Sequence, residues 1–68
     1  FTKGEMKVLR CLVRGMSYSG IAQTLGIEVT TVKYHVTNML QKTNLKNKLQ
    51  LALAASEAKL VVDLGEEP

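Results

Sequence analysis

Cysteine is almost missing from this chain. Cys11 stands alone, which excludes an intramolecular disulfide and a cysteine-based zinc site. A free cysteine usually behaves as a small buried hydrophobe, so Cys11 is expected in the core. A single thiol also suits a reducing cytosol, and a cytoplasmic protein is expected. Histidine is equally scarce. His35 has no second histidine and no carboxylate at metal spacing beside it. Neither a metal centre nor a nucleophile–base pair has a motif to rest on, so no enzyme activity, metal or cofactor is expected. No apolar run approaches the ~18 residues that a membrane span needs, and no signal peptide is visible. No membrane or small-molecule partner is expected.

Acids are also few, and they are unevenly placed. Residues 1 to 60 hold all nine Lys and Arg but only Glu5, Glu28 and Glu57, a net charge of +6. The other three acids fall in the tail "VVDLGEEP". A basic body favours a polyanionic partner, with nucleic acid first among them. The chain has 68 residues, near the lower limit for an independent core, so a simple and well-packed fold is required. It opens on Phe1 rather than methionine, and a piece of a longer protein is expected.

The periodicity predicts an all-α fold, a compact four-helix domain over residues 1–62 with an acidic tail at 63–68. The helices are expected at about 3–14, 18–25, 29–43 and 47–62. Thr2 and Glu5 form a capping box, with Phe1 and Met6 in the staple positions around it. Met6, Leu9, Leu12 and Val13 line the first helix's inner face, and Gly15 is its stop. Ser17 caps the second helix, Gly26 ends it, and Ile21, Ala22 and Leu25 face inward. In the third helix Val32, Val36, Met39, Leu40 and Thr43 fall within roughly 100°, the width of a core-facing stripe. Asn44 is a left-handed stop. Its opposite sector carries Thr30, Tyr34, Thr37 and Gln41, flanked by Lys33 and Asn38, with no acid after Glu28. The fourth helix is apolar on two faces, one with Leu49, Leu53 and Leu60, the other with Leu51, Ala55, Ala58 and Val62. Two such faces call for two partners. The second face is expected to pair with a second copy of the chain as a homodimer.

The second and third helices are joined by a short glycine-containing turn, the helix-turn-helix arrangement. Glycine-turned helical pairs also occur in proteins that never touch DNA, so spacing alone leaves the reading open. The residues themselves add more. The chain carries I-A-x-x-L-x-I at Ile21 to Ile27 and T-V-K-x-H at Thr31 to His35. Thr2, Glu5, Val8, Leu9, Gly15, Ser17, Lys42 and Asn47 are in register with them. This pattern resembles the LuxR-type helix-turn-helix domain of bacterial transcription regulators, without a gap from residue 1 to about 58. Departures stand at Gly4, where the family usually has arginine, and at Gly20, where it has glutamate. Glu28 replaces serine, Thr43 replaces leucine and Lys48 replaces arginine.

The resemblance implies a four-helix module whose third helix lies in the major groove of double-stranded DNA. It also implies dimerisation through the fourth helix and an N-terminal receiver or ligand-sensing domain elsewhere in the parent protein, acting at the bacterial nucleoid. Candidate base contacts are Thr30, Lys33, Tyr34, Thr37 and Asn38, which offer donors, acceptors and methyl groups to base edges. Candidate phosphate contacts are Ser17, Tyr18, Thr31, Lys42, Lys46 and Lys48, because phosphate contacts fix register and supply much of the affinity. His35 is expected to be structural or to bond on the phosphate side. The alternatives are another four-helix promoter reader, or a helix-turn-helix that works as a protein-interaction or dimerisation module with little DNA affinity.

Overall fold

Thr2 starts the first helix as its sequence predicts. Its hydroxyl accepts the Glu5 N–H at 3.2 Å, and the Glu5 carboxylate accepts the Thr2 N–H at 2.9 Å. The capping box is complete. Helix α1 then spans Lys3–Val13, α2 Tyr18–Leu25, α3 Val29–Thr43 and α4 Lys48–Ala58. The computed structural model describes residues 1–58. The expected all-α class is observed, and no strand occurs among the described residues.

The helix stops follow local chemistry. After α1, Gly15 takes φ +81°. Its N–H donates to the Leu12 carbonyl, and the Met16 N–H donates to the Cys11 carbonyl. This is a Schellman closure, which satisfies the last carbonyls of the helix. Gly26 ends α2 at φ +69°, with the Ile27 N–H on the Ala22 carbonyl. Among the described residues Asn44 is the non-glycine residue with positive φ, at 61°. The Thr43 hydroxyl helps close α3 there by donating to the Met39 carbonyl at 2.8 Å. Thr43 therefore completes the helix end with a polar bond rather than adding leucine volume to the core. Asn47 caps α4 by accepting the Gln50 N–H at 2.9 Å, so the helix begins one residue later than expected.

The core forms where the apolar stripes meet. Val8 and Leu9 of α1, Ile21 of α2, and Val32 and Met39 of α3 are fully buried. Val36 and Leu12 are nearly so, and Met6, Val13, Leu25 and Leu40 pack around them. Cys11 is buried among them, as a small hydrophobe should be. Each fully buried large apolar side chain stabilises the fold by about 1.5–3 kcal/mol.

In α4 the structure corrects the sequence reading. Leu51 and Ala55, expected on the dimer face, are core residues with 2% and 1% exposure. Leu49 and Leu53 are the exposed ones, at 74% and 57%. The helix is apolar around most of its circumference, so periodicity offered two equivalent inner faces. Packing of α4 on α1 and α3 decides between them. The Ala58 side chain and Val62 lie outside the described residues, as do the end of the expected fourth helix and the acidic tail.

Glu5 has a second task that its place in the cap conceals. Its side chain is buried, and the Lys42 ammonium reaches both carboxylate oxygens, at 2.7 and 3.0 Å. A carboxylate taken out of water needs such partners. The Lys42 hydrogen bond, and after it the Thr2 N–H, holds the Glu5 carboxyl below its ordinary value of 4.5 against the opposing effect of burial. The pair therefore stabilises the domain above that ordinary value, and the contribution is lost as pH falls through the lower folded value. Thermal denaturation of the wild type should show a midpoint that drops as the buffer is acidified below about pH 4.5. Glu5→Gln should be less stable at neutral pH and lose less on acidification. Parallel pH profiles for the two proteins would remove Glu5 from this role.

Candidate nucleic-acid interface

The candidate surface is built on α3. Val32, Val36 and Met39 hold one side of this helix in the core. The rotation of the helix is thereby set, and the opposite side must face solvent. Thr30, Lys33, Tyr34, Thr37 and Gln41 are all exposed, Tyr34 at 63%. Asn38 is half-buried and sits at the edge of this face. Thr31 is half-buried in the first turn. The face offers hydroxyls, an amide, a phenol and one ammonium, with no carboxylate beyond Glu28. It can donate and accept along a base edge without repelling phosphate.

The approach to α3 is short. Gly26, Ile27 and Glu28 separate it from α2. Gly26 supplies the left-handed turn that a side chain would strain. Glu28 is the α3 N-cap residue, and its side chain makes no capping hydrogen bond. Its charge suits the positive helix end, but the first-turn N–H groups go without the side-chain acceptor that serine would supply.

His35 is a packing residue. Its ring lies against the backbone of α1, so close that a Cβ on Gly4 would fall 2.9 Å from His35 Cε1. It also meets the Tyr34 ring, centroid to centroid at 5.8 Å. The glycine at position 4 leaves room for the imidazole between α1 and α3. That observation gives a physical reason for one of the departures from the family pattern, and it places His35 as a spacer behind Tyr34.

Of the six candidate phosphate contacts, the structure brings Tyr18 and Lys48 into contact, with Ser17 next to Tyr18 in the chain. Ser17 caps α2, its hydroxyl accepting the Gly20 N–H at 3.1 Å. Tyr18 follows it, and the Lys48 ammonium lies over the Tyr18 ring at 4.2 Å from its centroid. A cation held on an aromatic face is positioned but still hydrated on its other side. Lys46 is exposed in the turn just before, where its backbone N–H donates to the Gln50 side chain. The Lys48 side chain at the start of α4 thus reaches the first residue of α2, and helix N-termini carry N–H groups that favour an anion. No sequence spacing signalled the Tyr18–Lys48 pair, because the two residues are far apart in the chain. Lys42 leaves the phosphate set. Its ammonium is committed to Glu5, and its side chain serves the tie between α3 and α1. Among the described residues no group of His, Cys, Asp or Glu is arranged to hold a metal ion, and no helix is long and apolar enough to cross a membrane.

Glu28→Ser should supply the missing cap and raise the free energy of unfolding by about 0.5–1 kcal/mol. Urea denaturation measures it. An unchanged or lower midpoint would show that the carboxylate's attraction to the helix dipole outweighs a cap hydrogen bond.

Comparison with known proteins agrees with this geometry. Residues 1–55 match the family model described as bacterial regulatory proteins, luxR family. The chain is similar to the regulatory protein SdiA of Escherichia coli K12, 38% identical over 61 residues, 90% of this chain and 25% of that protein. It is similar to the transcriptional activator protein AnoR of Acinetobacter nosocomialis, 37% identical over 54 residues, 79% of this chain and 23% of that one. It is also similar to the transcriptional regulatory protein LiaR of Bacillus subtilis, 35% identical over 60 residues, 88% of this chain and 28% of that one. The chain spans about a quarter of the length of the relatives it matches. With the helix-turn-helix and its acid-free outer face in place, the chain belongs to the luxR family of bacterial regulatory proteins as its helix-turn-helix DNA-binding domain.

Proposed function

We propose that this domain binds double-stranded DNA sequence-specifically with α3 in the major groove, as the operator-reading part of a longer transcription regulator in the bacterial cytoplasm. The observation that carries the reading is the two-sidedness of α3. One stripe is locked into the core, and the other presents exposed polar groups with no acid among them. Its 15 residues make a rod of about 22 Å, and a B-form major groove about 12 Å wide admits a helix. Lys33, Tyr34 and Thr37, at the centre of the exposed sector, are the base-contacting set. Lys33 can donate to guanine O6 or N7, and the threonine methyl can meet the thymine methyl. Thr30 lies at the start of this row and Asn38 at its edge. Ser17, Tyr18, Lys46 and Lys48 form the phosphate clamp, with Thr31 beside the first turn of α3.

The rest of the parent protein is read as the sensing part. The domain's small size beside its regulator relatives supports this. Two copies pair through α4, using the exposed Leu49 and Leu53 in place of the buried face first expected. Apolar side chains so far out of the core are candidates for an isologous contact. A symmetric pair would read inverted half-sites about one helical turn apart.

Selection of random duplexes against the domain should enrich an inverted repeat. Lys33→Ala and Thr37→Ala should relax its sequence, each costing about 1–3 kcal/mol on the preferred site. Lys46→Ala with Lys48→Ala should weaken binding to every duplex and lower the salt slope by about two. No enrichment at low salt, or an unchanged slope, would defeat the reading. In sedimentation, Leu53→Glu should remain folded and lose self-association. Leu51→Ala should instead destabilise the monomer by about 2–5 kcal/mol. Unchanged self-association of Leu53→Glu would place the dimer contact elsewhere.

A further inference from the structure

The outer face of α1 is a second charged surface that DNA reading leaves unused. Lys3, Lys7 and Arg10 recur at helical spacing and fall within about 60° at ~100° per residue. All three are exposed. Among the described residues no acid shares the face. Glu5 is buried on the opposite side, Glu28 precedes α3 as its N-cap residue, and Glu57 lies on α4. An ordinary solvated helix face mixes the two signs of charge, because like charges three and four residues apart destabilise a helix. Lys3 and Lys7 also sit toward the positive end of the α1 dipole, where cations are disfavoured. The stripe is thus held against local electrostatics.

Two shallow grooves flank it. One, of about 350 Å³, is lined by Phe1, Lys3, Met6, Lys7 and Arg10. The other, of about 430 Å³, lies between α1 and the end of α2, where Cys11, Thr24 and Leu25 join Lys7, Arg10 and Arg14. Lys7 and Arg10 stand on the ridge between the two. Each groove therefore combines cations with an apolar wall.

We propose that this face docks an acidic segment of a partner protein that carries one or two apolar side chains. Charge complementarity selects the acid, and Met6 and Leu25 in the groove walls select the apolar anchors. The operator duplex is not the occupant. The apolar stripes of α1 and α3 pack on each other across the core, so their polar faces point away from one another. A membrane surface fits less well, because the apolar side of α1 is buried and leaves no broad greasy face to insert. The surface goes beyond the DNA-reading function and does not depend on it.

The test uses the whole 68-residue chain, ¹⁵N-labelled, and a short synthetic peptide of alternating glutamate and leucine as the probe. Amide shifts should concentrate in α1 and near Thr24 and Leu25. Anisotropy should show at least about tenfold weaker binding for the double variant Lys7→Glu with Arg10→Glu. The same variant should hold mixed-sequence duplex affinity within about twofold and keep the wild-type circular dichroism. A peptide with glutamine in place of glutamate should not bind. Shifts confined to α3 and the start of α4, or no peptide binding at all, would overturn the proposal. Equal loss of duplex binding in the variant would assign the stripe to nucleic acid. Binding to phosphatidylglycerol vesicles without peptide binding would assign it to a membrane. Either result also overturns the proposal.

Discussion

One buried carboxylate joins the parts of this domain that matter for its function. Glu5 closes the first turn of α1 by accepting the Thr2 N–H, and the same group receives the ammonium of Lys42 near the end of α3. Thus a local device that starts a helix also fixes where the reading helix lies relative to it. A charge in the interior of so small a domain is stable only while both partners are present. The tie also engages the Lys42 ammonium, one of the two lysines of α3. Nearby, the Gly4 backbone leaves room for His35, so that α1 and α3 approach closely and Tyr34 is held outward from behind.

Around that tie the domain divides its surfaces by helix face. Each of α1 and α3 turns its apolar stripe toward the other and its polar stripe to solvent. The outer face of α3 is uncharged apart from Lys33 and is rich in groups that both donate and accept. The outer face of α1 carries Lys3, Lys7 and Arg10, and no acid among the described residues. The first suits discrimination among base edges, which requires directional hydrogen bonds. The second suits attraction to acid without such discrimination. The Tyr18–Lys48 stack links the starts of α2 and α4 through a side chain, so the proposed phosphate clamp draws on two helix ends rather than on one charged segment.

Much of this was legible along the chain. Thr2 and Glu5, Ser17, Gly15, Gly26 and Asn44 act through neighbours within a few residues, and their caps and stops appear as read. The inner stripe of α3 was also legible, because Val32, Val36 and Met39 contrast sharply with the polar residues between them. The outward placement of Lys33, Tyr34 and Thr37 follows from the same periodicity. The fourth helix lacked this contrast. With leucine and alanine on both sides, nothing in the order of residues distinguished Leu51 from Leu53.

The sequence by itself determined the helices, their ends, the helix-turn-helix and the polar face of α3, because each rests on bonds and periodicities of a few residues. Tertiary structure alone decided which side of α4 is core, that Lys42 answers Glu5 rather than a phosphate, and that Lys48 lies on Tyr18. Those contacts join residues distant in the chain. The free energy of burying one face or pairing one charge exists only after the helices have packed.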